Sequence, residues 1–129
     1  MKHTHGGDIY KYADCVDFSA NCNPLGTPEG VLQAVRNSAE KICHYPQVGS
    51  GKLREAIAGY EGVSPDQVIC GNGAAEVVFS LCQAVQPKKA LLPAPAFAEY
   101  EQALQAVRCE IGFYLTHPEN SFSLQEDFS

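Results

Sequence analysis

Residues 67–79 read QVICGNGAAEVVF, and the way this stretch divides decides the fold. Val68, Ile69 and Cys70 form a short apolar run suited to the end of a buried strand, whereas Ala75, Val78, Phe79, Cys82 and Val85 recur at helical spacing. Gly71, Asn72 and Gly73 between them therefore predict a strand-to-helix turn. A turn of that kind aims unpartnered first-turn N–H groups and the positive end of a helix dipole at one point, which suits an anion, most often a phosphate. The same glycines would equally serve a bare reversal between a strand and its helix. A dinucleotide fingerprint fits less well. Glu76 stands where a third glycine would allow close helix packing, and the run Ala90, Leu91, Leu92 ends in Pro93 rather than in an acid for a ribose.

The alternation continues on both sides of the turn. Ala90, Leu91 and Leu92 predict a second strand closed by Pro93, Ala94 and Pro95; a helix over about 96–107 puts Tyr100, Ala103, Leu104 and Val107 on one face. Cys109, Ile111, Phe113 and Leu115 then alternate as a third strand. Upstream, Leu53, Ala56, Ile57 and Tyr60 mark a helix that stops near Gly62. An earlier helix has Thr27 as its N-cap, Pro28 at the first helical position and a stripe of Val31, Leu32, Val35, Ala39 and Ile42, and it is broken at His44, Tyr45 and Pro46. Val16, Asp17, Phe18 and Ser19 form a short extended candidate that enters a turn-rich run from Asn21 to Gly26. Residues 1–12 have no period and read as an arm. Strands and helices in alternation predict an α/β fold, with residues 68–70, 91–92 and 111–113 in one layered sheet whose ligands gather at the strand carboxyl ends. The tail over 116–129 has little to bury and does not look like the natural end of a sheet domain.

A chain of 129 residues with 45% apolar and 19% charged residues is one domain's worth and can hold a packed core. A net charge of −6, with Lys88 and Lys89 the only adjacent basic pair, gives no footprint for nucleic acid or an anionic membrane. No run is long enough for a membrane span and the start lacks the apolar core of a signal peptide, so a cytoplasmic location is expected. None of the six cysteines forms a C-x-x-C pair, which favours free thiols used as small hydrophobes, and the four scattered histidines offer no metal site.

The series HGGDIYKY, DFSANCNPLG, HYPQ, GNGAAE and PAPAFAEYEQAL, in this order, resembles the N-terminal part of the pyridoxal-phosphate enzymes of the aspartate aminotransferase fold (fold type I). Within that family it is most similar to the threonine-phosphate decarboxylases of cobalamin biosynthesis and next to the histidinol-phosphate aminotransferases. A third possibility is a non-catalytic phosphate-binding remnant. The resemblance implies an arm and substrate-contact turn over 1–27 and an incomplete portion of the large cofactor-binding α/β domain over 28–129. It implies that Gly73, Ala74 and Ala75 bind the phosphate of pyridoxal 5'-phosphate and that Phe97, with Tyr100 as the lesser candidate, stacks on the pyridine ring. It further implies a homodimer in which Tyr45 reaches the partner subunit's cofactor phosphate, an Asn23 that contacts the carboxylate of a phosphorylated amino-acid substrate, and an arm carrying His5 that closes over that substrate. The family's cofactor-bearing lysine, its aspartate for the pyridine nitrogen and its arginines belong to later segments. No lysine of this chain matches the family's lysine motif, so no catalytic residue is assigned and no activity is expected of the chain alone.

Overall fold

A computed structural model describes residues 6–11 and 14–125, which fall into two compact units, Met1–Gln47 and Val48–Ser129. In the second unit the order is α2 (Gly51–Glu61), α3 (Ala74–Val85), β1 (Lys89–Ala94), α4 (Ala98–Ala106) and β2 (Glu110–Leu115), with single 3-10 turns at Val48–Ser50, Pro65–Gln67 and Pro118–Asn120. The first unit holds α1 (Glu29–Ser38), which tightens into a 3-10 turn at Ala39–Cys43.

The second unit is built around one βαβ crossover. β1 and β2 pair in parallel, with Ala90 opposite Ile111, Leu92 opposite Phe113 and Ala94 opposite Leu115. Parallel neighbours need a long connection, and α4 supplies it. Its core-facing residues Ala103 and Leu104 are buried, as is Cys109 at the entry to β2. The chain leaves α4 through Arg108 in the left-handed region, φ 58°, and the Cys109 N–H returns to the Leu104 carbonyl at 3.0 Å. α3 packs on α4, and Val78, Leu81 and Cys82 of α3 share an apolar cavity of about 310 Å³ with Ala90, Leu92, Tyr100 and Leu104. Gln86, also left-handed at φ 48°, ends α3, and two further residues lead into β1. So short a reversal sets the start of α3 at the same end of the layer as the carboxyl end of β1.

The layered α/β expectation holds, with four local corrections. Residues 68–70 form no ladder: Val68 is extended, φ −112° and ψ 128°, but the sheet contains only β1 and β2, and no described residues offer this run a neighbour. Pro28, extended at φ −56° and ψ 139°, takes the N-cap position expected of Thr27, and no side chain caps α1. Ile42 leaves the apolar stripe because the chain winds to 3-10 after Ser38, and its side chain is exposed. Pro93 lies within β1 opposite Tyr114, at a strand edge where its missing N–H is tolerated, and the Ala94–Pro95 bond beyond it is cis. α2 ends as the sequence indicates, with Gly62 left-handed at φ 70°.

In the first unit the arm is latched by its own sequence. The Gly7 N–H donates to Ser19 Oγ at 2.8 Å, while Ser19 donates its hydroxyl (2.5 Å) and its backbone N–H (2.7 Å) to Asp17 Oδ1. A Cβ at Gly6 would stand 2.0 Å from the Ser19 carbonyl oxygen, so the approach needs glycine there. These bonds hold the Asp17 carboxyl below its ordinary range, the Ser19 hydroxyl first and its N–H second. Val16 to Ser19, expected to be extended, carries no strand pairing.

Candidate functional site

Two segments of the second unit carry expected site residues, and each is fixed by hydrogen bonds. The approach to the glycine turn begins at Pro65–Gln67, where Ser64 Oγ accepts from the Asp66 N–H at 3.4 Å and Gln67 Oε1 accepts from the Ser64 N–H at 3.0 Å, a capping box. Arg54 of α2 clamps this turn through Nε and Nη2 to the Pro65 carbonyl, at 3.0 and 2.5 Å, and through Nη2 to Asp66 Oδ1 at 3.3 Å. At the turn itself the Gly73 N–H donates to the Gly71 carbonyl at 3.0 Å and the Asn72 N–H donates to Glu76 Oε2.

The two glycines face different surroundings. A Cβ on Gly71 would stand 2.7 Å from Val77 Cγ2 and 3.4 Å from Glu76 Oε2. Gly73 has φ 87°, and a Cβ there would meet nothing within 4 Å. Gly73 is the N-cap of α3 and has no side chain to cap it, so the first-turn N–H groups of Ala74 and Ala75 lack intrahelical acceptors beside open space. A twelve-residue helix adds a partial positive charge of about 0.5 elementary units at that point. Gly73, Ala74 and Ala75, the residues expected at a phosphate, thus form the N-cap and first turn of α3.

The second segment follows β1. The Ala94 carbonyl accepts from both the Thr116 N–H (2.8 Å) and the Thr116 hydroxyl (3.0 Å), which pins the chain just before Pro95. Phe97 then serves as the N-cap of α4, its carbonyl accepting from the Tyr100 N–H at 3.1 Å. The Phe97 and Tyr100 rings lie edge to face, centroids 5.7 Å apart at 80°, and each is nearly half exposed. With Phe97 48% exposed, part of its ring is open to a stacking ligand.

The remaining expected site residues belong to the first unit. Asn23 spends its amide on its own turn, donating Nδ2–H to the Gly26 carbonyl at 2.9 Å and accepting the Leu25 N–H at 3.0 Å, which leaves one N–H for a ligand. Tyr45 is fully exposed in the first unit. His5 lies outside the described residues. The sequence reading missed Glu76 as a turn-holder, Arg54 as a clamp and Thr116 as an anchor. Only Glu76 had a sequence signal, an acid three residues after an N-cap.

Lys88 and Lys89 stand at the amino end of β1, the end opposite the glycine turn, and Lys89 pairs with Glu110 at 3.2 Å. Among the described residues no helix is long and apolar enough to cross a membrane.

Comparison with known proteins gives the family and the fold. The model of the aminotransferase class I and II family matches residues 13–127. Threonine-phosphate decarboxylase of Salmonella typhimurium is 36% identical over 115 residues, covering 83% of this chain and 32% of its own length. Histidinol-phosphate aminotransferases are also among the relatives. The crystal structure of L-threonine-O-3-phosphate decarboxylase from Porphyromonas gingivalis superposes with a TM-score of 0.65 at 28% identity, covering 70% of this chain and 28% of that one. Aspartate aminotransferase from Thermotoga maritima shares the fold, with a TM-score of 0.72 at 24% identity over 92% of this chain and 35% of its own. The chain thus spans about a third of the length of the relatives it matches, and it belongs to the aminotransferase class I and II family.

Proposed function

We propose that this chain forms the cofactor-phosphate corner of a pyridoxal-phosphate enzyme that releases carbon dioxide from L-threonine O-3-phosphate. The observation that carries the reading is the uncapped start of α3 at Gly73, where a Cβ would meet no atom within 4 Å and the Ala74 and Ala75 N–H groups have no acceptor inside the helix, in a chain of this family. In this reading the Ala74 and Ala75 N–H groups hold the cofactor phosphate and the free face of Phe97 holds its pyridine ring. When bound, the cofactor supplies an electron sink for the charge left on the substrate carbon as the carboxylate departs. Tyr45 extends to the phosphate held by a partner subunit in a homodimer, which its full exposure favours. Asn23 turns its second amide N–H to the substrate carboxylate, and the arm bearing His5 covers the substrate phosphate. Residues 1–27 act as that arm and contact turn, and residues 28–129 as part of the large domain of a cytoplasmic enzyme. The motif wording around Phe18 to Asn21, with the His5, Gly6, Gly7 arm, favours decarboxylation over histidinol-phosphate transamination.

No lysine of this chain matches the family's lysine motif, and Lys88 and Lys89 sit at the amino end of β1. The phosphate contact at a helix start is worth about 1 kcal/mol and ring stacking on Phe97 about 1 kcal/mol more, whereas millimolar affinity needs about 4 kcal/mol. The chain alone should therefore bind pyridoxal phosphate with Kd on the order of 10 mM or weaker and release no carbon dioxide. Titration of the 15N-labelled chain with pyridoxal phosphate and with pyridoxal checks this. Shifts at the Ala74 and Ala75 amides with the phosphorylated compound only are expected, and equal shifts with both would overturn the site.

A further inference from the structure

We propose that Glu76 is a positioning residue for the phosphate at this turn, acting through the Asn72 N–H rather than by touching the ligand. The inference rests on the phosphate reading above and deepens it. An acid in the first turn of a helix ordinarily answers the dipole and points to water. Glu76 does something more specific: its carboxylate folds back past the helix start and accepts the N–H of Asn72, between the two glycines.

That bond sorts the donors of the turn. On the Gly71 side the space is filled by Glu76 and Val77, whose atoms would crowd any Cβ on Gly71. A Cβ on Gly73, by contrast, would meet no atom within 4 Å. With Asn72 held by the carboxylate, the Ala74 and Ala75 N–H groups are the first-turn donors without an acceptor inside the helix, and Gly73, at φ 87° and ψ 161°, is kept between a fixed residue and a fixed helix.

The carboxylate has two opposed effects on an anion at this point. As an acceptor it orders the turn, and as a charge it repels. Glutamine separates them, because its amide oxygen still accepts the Asn72 N–H while the charge is gone. Alanine removes both.

The experiment uses the 129-residue chain with inorganic phosphate and pyridoxal phosphate as probes, read by amide shifts at residues 72–76 and by hydrogen exchange at Asn72. E76Q should keep Asn72 protected and bind phosphate as well as the parent or up to about twofold tighter. E76A should lose that protection and bind about fivefold more weakly, with the amides of residues 78–85 unshifted to show that α3 persists. E76A binding like the parent, or E76Q weakened as much as E76A, would overturn the positioning role. An Asn72 amide that exchanges freely in the parent would overturn the contact itself. Should the parent keep Asn72 protected yet show no phosphate-dependent shift at Ala74 and Ala75, the phosphate reading fails while the contact stands, and the role proposed for Glu76 fails with that reading.

Discussion

α1 and α4 carry similar amounts of apolar residue and end in different situations. In α4 Ala103 is wholly buried and Leu104 nearly so, because β1 and β2 flank the helix in sequence and close over it. In α1 Val31 and Val35 are 51% and 65% exposed, and among the described residues of the unit to which it belongs none is buried. An apolar stripe says which face a helix will bury but not whether the partner is near in the chain. The βαβ unit brings its partner along; α1 does not.

The largest expected effect tests that contrast directly. Ala103→Asp places a carboxylate in a site with no exposure and should destabilise the second unit by about 3 kcal/mol or more, whereas Val35→Asp in α1 should change stability by less than about 0.5 kcal/mol. Hydrogen exchange in β1, β2 and α1 separates the two outcomes, and equal losses would mean that α1 is packed after all. Next, Arg54→Ala removes charged donors from the Pro65 carbonyl and should cost about 2 kcal/mol. Asp66→Asn leaves those bonds intact and removes only a charge on a fully solvated side chain, for a change within about 0.5 kcal/mol. Denaturant midpoints of the two variants should differ accordingly.

Glycines sharpen the comparison at smaller scale. Gly71→Ala drives a Cβ against Val77 and should destabilise by about 1–2 kcal/mol. Gly59→Ala in α2 and Gly30→Ala in α1 meet open space in helical backbone and should each stabilise by about 0.5–1 kcal/mol, visible as raised helicity on warming. The smallest effect is electrostatic and belongs to the first unit. Since the folded Asp17 titrates below its unfolded value, its contribution is present above the unfolded pKa and is lost as pH falls through the folded one. Ser19→Ala should raise the Asp17 titration towards the ordinary aspartate value in a carboxyl NMR titration, with the Gly7 amide losing protection in the same variant.

What could be read from residues alone followed the reach of the interactions involved. The helix at Ala74–Val85, the stop at Gly62 and the alternating strand at Glu110–Leu115 rest on periodicity and on glycine's left-handed freedom, both local. Residues 68–70 look like a strand because apolar content is local too, but a strand exists only through a neighbour's N–H and C=O groups, and no described residue provides them. Within the site, the glycine turn was legible because its conformation demands particular residue types. Arg54 and Thr116 were not, since a clamp onto a carbonyl 11 or 22 residues away leaves no pattern in the chain. Phe97 was marked by motif, and its braced position against Tyr100 came only with coordinates.

The two-stranded sheet has a consequence for handling the molecule. Each of its strands is also an edge, so one side of β1 and one side of β2 offer backbone donors and acceptors that no other strand of the described residues uses. Pro93 leaves a gap in the row on β1, and Lys89 and Glu110 place charge at the start of each strand, but the stretch through Leu91 and Leu92 and that through Phe113 and Leu115 remain apolar. Such edges recruit other chains as readily as they would a strand of their own domain, so concentrated solutions should lose monomer to edge-to-edge pairing faster than dilute ones.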